Sequence, residues 1–155
     1  MMERSQKLLN YFLSHRSVTN ELVGKIEAAN YDYKPTETSM PAGKLVTHML
    51  TSFYMFARTV KEGNGAVFGE KLDDVPQNLS EAAETLTEKT KDLISSLTNE
   101  ELERSIDMKQ IFGMELTGSQ LLQIAMDHEI HHKGNLFVYV REMGHTDLPM
   151  FVSRG

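Results

Sequence analysis

In the last amphipathic segment of the chain, imidazoles stand where an apolar stripe calls for leucine. The stripe reads Leu121, Ala125, His128, His132, Leu136, Tyr139, and its steps of three and four are the period of a helix that buries one face. His128 and His132 therefore take interior positions. Four residues turn a helix through about 400°, so the two side chains project about 40° apart, one turn above the other. A buried imidazole without a partner costs on the order of 1–3 kcal/mol. A chain that carries two on one core stripe must fold so that a facing element answers them.

Three earlier segments supply such elements. The first helix is expected over residues 5–29, with Leu9, Phe12, Arg16, Thr19, Val23 and Ile26 on its stripe. A connector bracketed by Pro35 and Pro41 follows, and Ser39 is a plausible cap for a second helix over residues 41–61. Leu45, His48, Ser52, Met55 and Thr59 form one row of that helix. The stretch 62–78 is rich in Gly, Asp and Pro, which is long for a connection between packed helices and marks it as functional or poorly ordered. A third helix is expected over residues 79–97, on Leu79, Ala83, Leu86, Thr90, Leu93 and Leu97.

Thr98 with Glu101 and Thr117 with Gln120 both match capping boxes; the second opens the histidine helix, which runs to about Met143 before Gly144. Residues 106–116 alternate only weakly and read as extended or irregular. Four amphipathic helices with little strand signal predict an all-α fold, a four-helix bundle, in one domain over residues 1–155.

Composition narrows the function. The chain has no cysteine, which removes disulfides, thiolate metal sites and a cysteine nucleophile. A net charge of −6 and the lack of a basic stripe argue against nucleic acid as a partner. No apolar run is long enough to span a membrane, and the start shows no secretory pattern, so the expected location is the cytoplasm. The ten methionines are scattered and read as core filling.

His48 occupies a core row of a separate helix, and with His128 and His132 it makes a three-nitrogen set. Three ligands leave a coordination position open, as catalytic metal sites do. Neutral nitrogen donors suit zinc, nickel, cobalt or iron, zinc and nickel foremost, and disfavour calcium and magnesium. His15, at the core edge of the first helix, is a weaker candidate, and His145 is expected at the surface. His131 points about 100° away from His132. Residues 128–132 also spell H-E-x-x-H, in which Glu129 would be the general base of a zinc peptidase. The extended form of that motif needs Gly and His where this chain has Asn135 and Val138. Glu142, the next carboxylate downstream, lies about 15 Å further along the helix. The peptidase reading is therefore set aside, and Glu129 and His131 are kept as candidate proton shuttles.

The run D-H-E-I-H-H-K-G-N-L at 127–136 resembles the C-terminal helix signature of the DinB/YfiT-like superfamily, H-x-x-H-H-[RK]-G-[QN]. The connector Y-K-P-T-E-T-S-M, followed by a helix with a central histidine, is similar to that family's second-helix entry. The resemblance spans nearly the whole chain. It implies a four-helix bundle with a divalent metal on His48, His128 and His132, and a homodimer. Lys133 and Asn135 stand where Arg and Gln are commoner, and Lys lacks the fork of Arg for clamping a carboxylate or phosphate. Some relatives of this fold are thiol S-transferases or thiol-dependent isomerases. The resemblance thus implies a metal-dependent enzyme acting on a small molecule, with a low-molecular-weight thiol as partner, or a hydrolase. A non-catalytic metal-binding stress-response module and a scaffold without metal are the alternatives. The apolar tail 148–152 is expected to dock on the body or on a second copy.

Overall fold

The computed structural model describes residues 3–154. The fold is mainly helical. Its long helices are α1 (Arg4–Val23), α2 (Ala42–Glu62) and α3 (Leu79–Ser95), followed by a short α4 (Asn99–Glu103). The chain then forms a hairpin of β1 (Ser105–Met108) and β2 (Met114–Thr117) around a single turn, α5 (Lys109–Phe112), and ends in the longest helix, α6 (Gly118–Glu142). Both α1 and α2 pack against both α3 and α6, so the four long helices enclose one interior.

The hairpin adds a small two-stranded sheet to the helical fold expected, within the stretch read as extended or irregular. Its antiparallel register sets Ser105 opposite Thr117 and Met108 opposite Met114. Ile106, Met108 and Leu116 point into the core, and Gly113 closes the turn at φ 74°, a conformation that favours glycine. Strands this short leave too few alternations to stand out in a sequence. The first helix is also shorter than expected. It stops at Val23, because Gly24 weakens the helix and Glu27 is extended (φ −79°, ψ 152°). Ser39 does not cap α2. Pro41 holds the cap position, and the Ser39 hydroxyl pairs with Thr36 Oγ1 at 2.5 Å.

Helix ends are closed by side chains. Both predicted capping boxes form, Thr98 with Glu101 and Thr117 with Gln120. At the end of α2, Gly63 takes φ 70°, and the Arg104 guanidinium donates to the carbonyls of Val60 and Lys61 at 2.8 and 3.1 Å. A side chain on Gly63 would collide with that guanidinium, 2.4 Å from where its Cβ would lie.

The interior is divided. One apolar cluster gathers Leu9 and Phe12 of α1, Phe53, Phe56, Ala57 and Val60 of α2, and Leu121, Leu122, Ala125 and Met126 of α6. The other gathers Val18, Leu22 and Val23 of α1, Leu45, Val46, Met49 and Leu50 of α2, Leu79, Ala82, Ala83 and Leu86 of α3, and Leu136, Tyr139 and Val140 of α6. Between them, on every long helix, lie polar residues: Arg16 and Thr19, His48 and Ser52, Thr87 and Thr90, and His128, Glu129, His132 and Lys133. This polar layer holds the candidate site.

Candidate metal centre

The layer meets α6 along two adjacent stripes. His128 and His132 face α2, where His48 projects from the second turn of that helix. His48 Nε2 lies 2.9 Å from His128 Nε2, and His132 Nε2 lies 3.1 Å from the same atom. One ligand atom from each of the three residues falls within 4.8 Å of the others. The rings meet edge to face, with centroids 4.5–5.1 Å apart.

This donor set fits a divalent transition metal. Nitrogens around a tetrahedral zinc at about 2.0–2.1 Å stand roughly 3.3 Å from one another, close to the separations found here. Hydrogen bonding alone satisfies the cluster poorly. A ring nitrogen has one in-plane valence, either a proton or a lone pair, yet His128 Nε2 has two nitrogen neighbours within 3.1 Å. A cation accepted by all three lone pairs removes that conflict.

Electrostatics keep the imidazoles in the ligand state. Burial holds the pKa of His48 below the ordinary 6.5. Burial, and next the neighbouring His48, lowers His128. Burial, then His128 and His48, brings His132 down to about 4. All three are neutral at pH 7 and offer lone pairs. Their outer nitrogens also have neighbours: Ser52 Oγ lies 3.4 Å from His48 Nδ1, and the Asn135 amide nitrogen 3.3 Å from His132 Nδ1.

The second stripe of α6 is Glu129 and Lys133, facing α1. Glu129 is 1% exposed. Its Oε1 accepts from Arg16 Nη2 at 2.8 Å, and its Oε2 from Arg16 Nε at 3.0 Å and from Thr19 Oγ1 at 2.6 Å. Against the cost of burial, the Arg16 charge and hydrogen bonds hold its pKa below the ordinary carboxylate value. Both oxygens are thus committed to Arg16 and Thr19. Arg16, in turn, stacks over Phe12 and Phe53 and donates to Thr87. Lys133 is buried, with Nζ 2.5 Å from His15 Nδ1 and donating to the carbonyl of Phe151. This contact occupies His15, which stands apart from the triad. His131 is exposed, its ring centroid 4.8 Å from that of His132. The sequence held a signal for this network, a charged Arg16 on a core stripe, which demands a buried anion somewhere in the fold.

A cleft of about 840 Å3 reaches the triad at His48, floored by Lys44, Thr47 and Thr51 and walled by Tyr31, Val75 and Pro76. A second, of about 490 Å3, shares Thr47, Thr51 and Val75 and continues past Ser52 to Met55 and Phe68. The 62–78 stretch is therefore a wall of the groove along α2. It includes a turn of 3-10 helix at Gly65–Gly69, and its far end is tied down where the Leu79 amide donates to Tyr31 Oη at 2.9 Å.

The DinB family model matches residues 1–154. The chain belongs to the DinB family. Another protein similar to this DinB chain is the uncharacterized protein YjoA of Bacillus subtilis (strain 168), 54% identical over 153 residues and covering 99% of both chains. The crystal structure of that DinB-like protein superposes with a TM-score of 0.90 at 53% identity, covering 96% of this chain and 99% of the other. Among the described residues, no helix of this DinB protein is long and apolar enough to cross a membrane.

Proposed function

We propose that this DinB protein is a four-helix bundle that binds a divalent transition metal, zinc or nickel foremost, through His48, His128 and His132, and that the loaded protein is an enzyme acting on small molecules. The observation that carries the metal reading is the convergence of three neutral imidazoles on one point, with His128 Nε2 within 3.1 Å of both others. Four long helices packed around one interior support the bundle reading. Three protein ligands leave room for a substrate atom, and the groove at His48 has the volume of a small-molecule site.

A metal in this position would supply Lewis acidity, lowering the pKa of a substrate thiol or of a water. The chain's own residues do the rest. The neutral triad directs three ring nitrogens at one point, and Tyr31, Val75 and Pro76 offer walls against which a small substrate can lie out of water. Thr47 and Lys44 supply polar groups on the floor, and exposed His131 remains as a proton carrier at the flank. The reaction class is transfer to or from a low-molecular-weight thiol, or hydrolysis. Elemental analysis of untagged protein tests the metal. Metal-loaded protein incubated with a thiol and an electrophile tests the chemistry, and a rate no greater than that of free metal rejects it.

The second reading is a non-catalytic metal-binding module of a stress response. The observation that favours it is that the ligands come from two helices, so that an ion would cross-link α2 to α6. It predicts a large loss of thermal stability on chelation with no dependence on any thiol. The homodimer belongs to the same proposal, on the exposed Tyr11, Met150 and Phe151, and sedimentation tests it. The backbone of the tail docks on its own chain, where the Ser153 amide donates to the Ser14 carbonyl at 2.8 Å.

A further inference from the structure

We infer that Asn135 is a positioning residue that sets which nitrogen of His132 carries the proton, and that its amide reverses when a metal binds. The inference rests on the proposed metal reading and assigns a role outside the triad.

Asn135 lies one helical turn beyond His132 on α6, with its amide nitrogen 3.3 Å from His132 Nδ1. The opposite ring nitrogen, Nε2, is the one 3.1 Å from His128. A neutral imidazole carries its proton on one nitrogen and a lone pair on the other, and the hydrogen bond at one side decides the other. The amide nitrogen faces Nδ1, and a hydrogen bond between them requires the ring's lone pair on Nδ1. The proton of His132 then sits on Nε2, directed at His128. A metal needs the reverse: the lone pair on Nε2, the proton on Nδ1, and an acceptor facing Nδ1.

A carboxamide serves both states. A half-turn about its terminal bond exchanges a donor edge for an acceptor edge at the same place, without moving the backbone. Aspartate would offer acceptors alone, and leucine, of similar bulk, neither. The Ser52 hydroxyl, 3.4 Å from His48 Nδ1, can rotate to the same effect on α2. The site thus has adaptable groups behind ligands on both helices. Asn135 is the stronger case, because its shape restricts it to two settings, whereas a hydroxyl rotates freely between donor and acceptor.

The test combines nitrogen-15 NMR of the histidine rings with zinc affinity measured by competition against a chelator. In the wild-type protein, His132 is expected as the Nε2–H tautomer without metal and as Nδ1–H with zinc. Asn135→Leu should lower zinc affinity about 10–100-fold while leaving the urea midpoint of the metal-free protein in place. Asn135→Asp should show Nδ1–H before any metal is added and bind zinc at least as tightly as wild type. His132→Ala is the control that loses binding through the ligand itself. Equal zinc affinity in Asn135→Leu and wild type, or one unchanging His132 tautomer with and without zinc, overturns the role of Asn135 and leaves the metal reading intact. A wild-type protein that takes up no zinc overturns both.

Discussion

Two interfaces of one helix run side by side through the polar layer. On the α2 side, α6 presents His128 and His132 to His48; on the α1 side, one residue later in each case, it presents Glu129 and Lys133 to Arg16 and His15. The second is a closed set. Arg16 and Glu129 are oppositely charged and almost wholly inaccessible, and they satisfy one another through paired hydrogen bonds. The first is open. Three half-buried or buried neutral rings of one kind meet, and they cannot all satisfy one another. Buried polarity that completes itself serves as a structural lock, whereas buried polarity that stays incomplete marks a place for a ligand.

The strongest way to break this contrast is Arg16→Ala. It leaves Glu129 buried without its counter-charge and should cost about 3–5 kcal/mol, read as a lower urea midpoint that added zinc does not restore at fixed occupancy. A midpoint near wild type would mean that the pair is not a lock. Next in size is the metal effect. Free zinc at about 100 times its dissociation constant should stabilise the wild-type protein by about 2.7 kcal/mol. Under the same conditions His48→Ala, His128→Ala and His132→Ala should gain far less, and thermal melts with and without zinc measure the difference.

The pH response is weaker, because the triad is partly solvated and its charges are screened. His48, His128 and His132 have folded pKa values below the unfolded 6.5, that of His132 at about 4. The unfolded chain therefore binds more protons between these values, and metal-free stability is full above pH 6.5 and declines as pH falls toward about 4. Burial lowers His15 too, which adds in the same direction. Glu129, held below the ordinary carboxylate value, begins to lose its contribution only at the acid end. Urea midpoints across pH 4–7 should show this slope in the wild type and a flatter one in His132→Ala. The smallest effect is expected for exposed His131→Ala, within about 0.5 kcal/mol of wild-type stability. Metal affinity should hold, and a loss of turnover at constant affinity would assign His131 the proton transfer.

How much of this could be read from residue order depends on how local each signal is. The periodicity of the long helices survives in the sequence because each turn repeats it, and both capping boxes are legible because they lie within four residues. The i, i+4 spacing of His128 and His132 is local in the same sense. The hairpin was not legible as a sheet: each strand has four residues, and its register depends on a partner found only after the chain turns at Gly113. Ser39 looked like a cap by its neighbours but was taken by Thr36.

Residue order alone established which residues share a helical face, that three imidazoles and an arginine lie on core rows, and that no thiolate is available. Those properties follow from chain geometry over a few residues. It could not say which buried group answers which. Glu129 and His128 are neighbours in the chain, about 100° apart on the helix, and that rotation sends one to Arg16 and the other to His48, residues 113 and 80 positions away. Pairings across such distances are set by how the helices pack, because packing alone determines which charges lose their water together and must satisfy one another.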